Sequence, residues 1–239
     1  ARTLMATAKW AQAACQERRG STDPEVDWEV WRSTLEEAQP DKGWLAGPLT
    51  ADEVTARLWP LWVPACRFGL KQGKKIRNID DCSRYGTNAC YHAREKLALG
   101  GLDEILNIIK VWTNAVGEDR CFSVPREKGT ARSGVLHHEW SPAEARRLVG
   151  RTADMRNAYK QVAPTPVHRW TVVIAALDPE SSMVKFFDSL VLAFGEAAAV
   201  YAFNRIATAL RWLGITLLDL VMTSFFDDFP HAETEALAD

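Results

Sequence analysis

Ile215-Thr-Leu-Leu-Asp-Leu-Val-Met-Thr-Ser-Phe-Phe-Asp-Asp228 is the stretch on which the reading of the whole chain turns. Its apolar, strand-like run ends in two adjacent carboxylates, Asp227 and Asp228, and Pro230 then takes the chain out of regular pairing. Neighbouring carboxylates repel, and one pKa rises unless something compensates. A divalent cation does so, because Mg²⁺ takes hard oxygen ligands. Asp is also a common turn residue, so the pair alone reads as a solvated turn.

A second acidic position changes that weighing. In Arg151-Thr-Ala-Asp-Met-Arg-Asn-Ala-Tyr-Lys-Gln161, Asp154 stands five residues before Tyr159. Two-metal phosphoryl transfer needs carboxylates from separate elements around ions roughly 3.5–4 Å apart. Asp154 with Asp227 and Asp228 supplies such a set.

Upstream of the acidic pair, residues 196–213 read as a helix ending at Gly214. Trp170 to Leu177 and Val184 to Leu192 read as strands joined by a turn at Asp178 to Ser182. Ser141-Pro-Ala-Glu144 opens another helix, with Ser at the N-cap and Pro in the first turn. Residues 117–134 read as loop or short strand, and 89–116 as helix. Cys66 to Leu70 and Lys75 to Ile79 alternate apolar and polar residues around Lys71-Gln-Gly-Lys74, a hairpin signal with Gly73 free to take positive φ. Thr50-Ala-Asp-Glu53 fits a capping box. Residues 43–50 read as a loop, and 1–40 as helical with Trp28 and Trp31 on one face. Strands and helices mix without a βαβ rhythm, so the expected class is α+β.

Of the 239 residues, 47% are apolar, enough for a substantial core. The formal charge of -2 selects no partner, but its distribution does. Residues 66–96 carry 8 Lys and Arg against 3 acids, 119–169 carry 10 against 5, and 170–239 carry 3 against 10. Basic stretches suit phosphates and an acidic one suits metal ions. Five cysteines without C-x-x-C spacing suggest neither a disulfide framework nor a zinc site, and imply a reducing, intracellular setting. The apolar runs near 190–203 and 213–226 are interrupted by Glu196 and Asp219, so no membrane span is expected. His137-His-Glu139 lacks metalloprotease spacing and reads as a surface element. Ala1 in place of Met hints at a piece of a longer product.

Four blocks in order resemble the reverse transcriptase family, of retroelement type. Lys75-Ile-Arg-Asn-Ile-Asp-Asp81 is similar to its fingers motif, and Asp154 to Tyr159 to its first palm motif. Phe194-Gly195 with the helix Ala197 to Arg205 resembles the motif supporting template and nucleotide. Phe225-Phe-Asp-Asp228 resembles the Tyr-x-Asp-Asp hairpin. The resemblance runs from about Phe68 to Phe229 and implies a helical extension over 1–65, fingers over 66–150 and a palm over 151–239.

The resemblance further implies RNA-directed DNA polymerisation: dNTP addition to a primer 3′-hydroxyl on an RNA or DNA template, with two Mg²⁺ ions, or Mn²⁺ in their place. Asp154, Asp227 and Asp228 would be the metal ligands, with the Met155 carbonyl as a further one. Arg77 would stabilise the triphosphate, Lys75 and Lys71 would touch phosphate, and Asp81 would be a structural partner in the fingers. Tyr159 would lie under the sugar and exclude a 2′-hydroxyl, favouring deoxynucleotides. Gly195 would admit base or template close to the backbone.

The sequence departs from the family pattern at Phe225 (usually Tyr), Ala193 (usually Pro) and Cys82 (often Phe), and places Glu196 near the expected template path. Only 11 residues follow Asp228. The thumb, primer grip and ribonuclease H domain would therefore be further polyprotein parts. This chain alone is expected to bind nucleic acid weakly and with strong salt dependence. The competing expectation is an inactive remnant that at most binds nucleic acid.

Overall fold

The computed structural model describes residues 1–125 and 129–237, so Arg126, Glu127, Lys128 and the last two residues lie outside the described residues. In chain order the elements begin with α1 (Arg2–Gln16), α2 (Pro24–Glu37), β1 (Leu45–Leu49), α3 (Ala51–Arg57), β2 (Pro64–Gln72) and β3 (Lys75–Asp81). Then follow α4 (Leu102–Ala115), β4 (Cys121–Val124), β5 (Arg132–Val135), α5 (Pro142–Arg146) and β6 (Leu148–Asp154). The last are β7 (Val173–Asp178), β8 (Met183–Ser189), α6 (Ala197–Leu217), β9 (Val221–Met222) and β10 (Asp228–Thr234). The mixture is α+β. No described helix is long and apolar enough to cross a membrane.

The chain forms two compact units. The first comprises Ala1–Glu95 and Asn157–Phe203, the second Lys96–Arg156 and Asn204–Asp239.

The first unit is built on a sheet of order β1-β8-β7-β2-β3. Only β2 and β7 run parallel; the other pairs are antiparallel. Side chains alternate between faces at period two, and the core follows that alternation. Val173, Ala175, Phe186 and Cys66 pack with Leu4, Ala8, Ala11 and Cys15 of α1 and Val54 of α3. Ile174, Ala176, Phe187 and Ala65 turn the other way, toward Trp31 and Leu35 of α2. Phe186 and Phe187, 1% and 0% exposed, thus serve opposite faces, each burial contributing about 1.5–3 kcal/mol.

The β2–β3 hairpin forms as expected, in unbroken register from Cys66↔Asp81 to Gln72↔Lys75, with Gly73 at φ 59°. Both capping boxes form. Thr50 caps α3 with Glu53, and Ser141 caps α5 with Glu144. Their backbone and hydroxyl hydrogen bonds hold both glutamate pKa values below the ordinary value.

Other expectations are corrected. Residues 43–50 are not a loop: β1 pairs with β8, and Pro48 is accommodated because β1 is an edge strand. The helix expected over 89–116 begins only at Leu102, after Gly100-Gly101. The first strand of the 170–192 pair begins at Val173, behind a 3-10 turn over Pro166–Thr171. Gly214 does not end α6. A Cβ there would lie 2.5 Å from Met222 Sδ, so the glycine is a packing notch within a helix that runs to Leu217. The strand expected from Ile215 is thereby confined to Val221–Met222.

The second unit carries the sheet β6-β10-β9 and the separate two-stranded sheet β4-β5. Its α4 is tied to the β9–β10 turn region by Glu104, which accepts from Thr223 Oγ1 at 2.6 Å and from Arg211 at 2.5 Å. His137, His138 and Glu139 are exposed.

Candidate functional site

Two of the three acidic candidates, Asp154 and Asp228, face each other across β6 and β10. The strands pair antiparallel over seven positions, from Leu148↔Thr234 to Asp154↔Asp228. Met155 N–H donates to the Asp227 carbonyl at 3.1 Å, so Asp154 and Asp228 form a non-hydrogen-bonded pair, the type with the closer side chains. Cβ atoms in such pairs lie about 4.5–5.5 Å apart. Both residues are exposed, while the alternating Phe229 is 5% exposed and turned inward.

Asp227 stands in the turn. Phe225 and Asp228 bridge by reciprocal hydrogen bonds of 2.8 and 3.0 Å, leaving Phe226-Asp227 as the two central residues. Phe226 takes φ 53°, a costly conformation for a bulky residue. The turn is held from below, where Gly100 N–H donates to the Ser224 carbonyl at 2.8 Å and Thr223 and Ser224 are buried. The rings of Phe225 and Phe226 meet edge to face at 5.0 Å.

Asp154 and Asp228 are therefore brought directly opposite one another, and Asp227 is their neighbour in the turn. Among the described residues no three acidic, imidazole or thiol groups close into a ligand shell. The donor chemistry fits a hard cation: exposed carboxylates opposed on adjacent strands, with no ion pair from any described basic side chain. Like charges directly opposite destabilise a sheet by about 0.2–1 kcal/mol. Asp228→Asn should consequently raise metal-free stability by about that amount, while losing any thermal stabilisation that Mg²⁺ or Mn²⁺ gives the unmutated protein. Melting curves with and without the ions check both. A variant that melts lower without metal and keeps the same ion-dependent shift would sink this expectation.

The expected nucleotide-binding residues lie in the first unit. Lys75 opens β3 and is exposed, as is Arg77 two positions on. Lys71 forms an ion pair with Asp23 at the start of α2. Asp81 ends β3 and accepts from the N–H groups of Ser83 and Arg84 at 3.1 and 3.0 Å, so it caps the turn that follows. Tyr159 is half-buried, edge-on to Phe194 at 5.9 Å and tilted on Phe203 at 5.0 Å. Gly195 takes φ 125°, and a Cβ there would lie 2.1 Å from the Asp80 carbonyl oxygen. The close approach it permits within the structure is therefore to its own chain at β3.

A buried charge network on the same hairpin carries no motif in the sequence. Arg67, 1% exposed, faces Asp80 across the hairpin and binds it bidentately at 2.7 and 3.1 Å. It also reaches Glu37 of α2 at 2.7 Å, and Lys160 joins the same carboxylate at 3.2 Å. Burial works against the Arg67 charge, but Asp80 and Glu37 more than offset it and raise the guanidinium pKa further. Burial likewise opposes ionisation of Glu37, yet Arg67 and Lys160 hold its pKa below the ordinary value. One signal was legible: Arg67 shares strand parity with the core residue Ala65.

No family model matches the chain, and no curated protein matches it.

Proposed function

We propose that this chain is the fingers-and-palm portion of an RNA-directed DNA polymerase of retroelement type. The observation that supports it best is the register placing Asp154 opposite Asp228, with Asp227 adjacent in a tight turn. Asp154, more than seventy positions before Asp227 and Asp228 in sequence, is set opposite Asp228 at one end of the β6–β10 pair. Asp154, Asp227 and Asp228 would hold the ions, whose chemistry when bound is activation of the primer 3′-oxygen and neutralisation of the leaving pyrophosphate. The carboxylates fix where that charge sits, and the strand pairing fixes the carboxylates. In the first unit, Arg77 and Lys75 offer exposed cations for a triphosphate, and the ring of Tyr159 offers a surface against the nucleotide sugar that disfavours a 2′-hydroxyl.

Primer extension tests this. With an RNA template, annealed DNA primer, dNTPs and Mg²⁺, the chain should extend the primer, and Asp227→Ala or Asp228→Ala should lower the rate about a hundredfold or more, the equivalent of several kcal/mol. Equal rates for the variants and the unmutated chain would overturn the enzymatic reading and favour a non-catalytic, nucleic-acid-binding remnant.

A further inference from the structure

Asp188, at the end of β8, is 0% exposed and carries its charge into the first unit away from the Arg67 network. Its Oδ2 accepts from Arg57 Nε at 2.9 Å and from Arg169 Nη1 at 3.0 Å. Its Oδ1 and the Arg169 Nε are buried without partners. One carboxylate thus anchors two guanidiniums, and one positive charge is left over.

Both arginines line a cavity of ≈ 310 Å³ with Trp59, Trp170, Val167 and Met5. Among the described residues, no acidic one lines it. Its size is at the lower end of the roughly 300–1,000 Å³ usual for small-molecule sites. The Arg57 side chain is 46% exposed and spends only its Nε on Asp188, which leaves its two terminal nitrogens as a planar fork. That fork matches the oxygens of a phosphate or carboxylate. Trp59 and Val167, 49% and 67% exposed, add an apolar and partly aromatic rim. An uncompensated cation, fixed by a buried carboxylate and bordered by indole rings, is the arrangement that selects an anionic head on a flat apolar body.

We propose that this cavity binds a phosphate monoester carrying an aromatic or similarly flat group, with Arg57 and Arg169 on the phosphate, the tryptophans against the ring, and Asp188 as the positioning residue for both guanidiniums. The proposal is independent of the polymerase reading, since it uses none of the residues assigned there.

Calorimetric titration of the full chain with phenyl phosphate, inorganic phosphate and phenol tests it. Phenyl phosphate should bind saturably below about 10 mM. Inorganic phosphate should bind about tenfold more weakly and phenol weaker still. Arg57→Gln should weaken phenyl phosphate about tenfold or more through loss of a charged hydrogen bond. Val167→Asp, which leaves the Asp188 pairs intact and puts a negative charge on the exposed rim, should do the same, and it decides the matter if Arg57→Gln does not fold. Absence of saturable binding, phenol binding as well as phenyl phosphate, or unchanged affinity in Val167→Asp would overturn the proposal.

Discussion

Arg67→Met should destabilise the first unit by about 3–5 kcal/mol, the cost of stranding buried charge when one partner is removed. Methionine keeps much of the side-chain volume, so the loss reports the charge. Asp80 is 2% exposed and would lose its bidentate partner, while Glu37 would keep only Lys160. The pH dependence gives a second reading. With its folded pKa depressed, Glu37 contributes stability that is present above the unfolded carboxylate pKa and lost as pH falls through the folded one. Without Arg67, burial dominates at Glu37 and protonation relieves it. The deficit of Arg67→Met should therefore narrow between neutral and mildly acidic pH. Chemical denaturation at the two pH values measures this. A loss under about 1 kcal/mol at neutral pH would show that the network is not what its burial implies.

Gly195→Ala should cost about 3 kcal/mol or more, summing an unfavourable φ and a backbone collision. The added Cβ meets the Asp80 carbonyl oxygen at 2.1 Å, and a backbone atom cannot swing aside as a side chain can. The surrounding hydrogen bonds share the damage. Asp80 N–H donates to the Phe194 carbonyl at 3.0 Å. Asn88 donates to the Gly195 carbonyl at 2.9 Å while its own side-chain oxygen caps the start of α6 through Ala197 N–H at 2.8 Å. Gly73→Ala is the matched control, because Gly73 also has positive φ but has nothing within 4 Å of the added atom. It should cost only about 1–2 kcal/mol. Thermal melts of the two variants side by side separate collision from conformation, and equal losses would refute the collision.

Local features were the legible ones. The two capping boxes rest on residues three apart, and the β2–β3 hairpin on alternation around one glycine. Their physics is complete within one short continuous segment each. The opposition of Asp154 and Asp228 is of another kind, since no local pattern sets the register between distant strands. Order and spacing of the motif blocks suggested that these residues meet, and the pairing of β6 with β10 supplies the register. Gly214 and Gly195 show the reverse difficulty. A glycine's sequence context does not say whether it ends a helix, admits a ligand or makes room for the chain itself. Here the neighbours Met222 and Asp80 give the reasons. A strand arginine is usually solvated; the two acids that make the burial of Arg67 tolerable sit on α2 and across the hairpin. β1 was hidden by Gly47-Pro48, which reads as a break until β8 offers it an edge.

The first 65 residues, which carry none of the polymerase-like blocks, bear on how any minimal version of this protein could be made. Helices α1 and α3 roof one side of the five-stranded sheet and α2 the other, and α2 also contributes Glu37 to Arg67. Trimming the chain to begin at Cys66 would strip both coverings at once, uncover Phe186 and Phe187 together, and leave the buried Arg67 with Asp80 but without Glu37. Such a fragment would aggregate rather than work, however faithfully it retained every polymerase-like block.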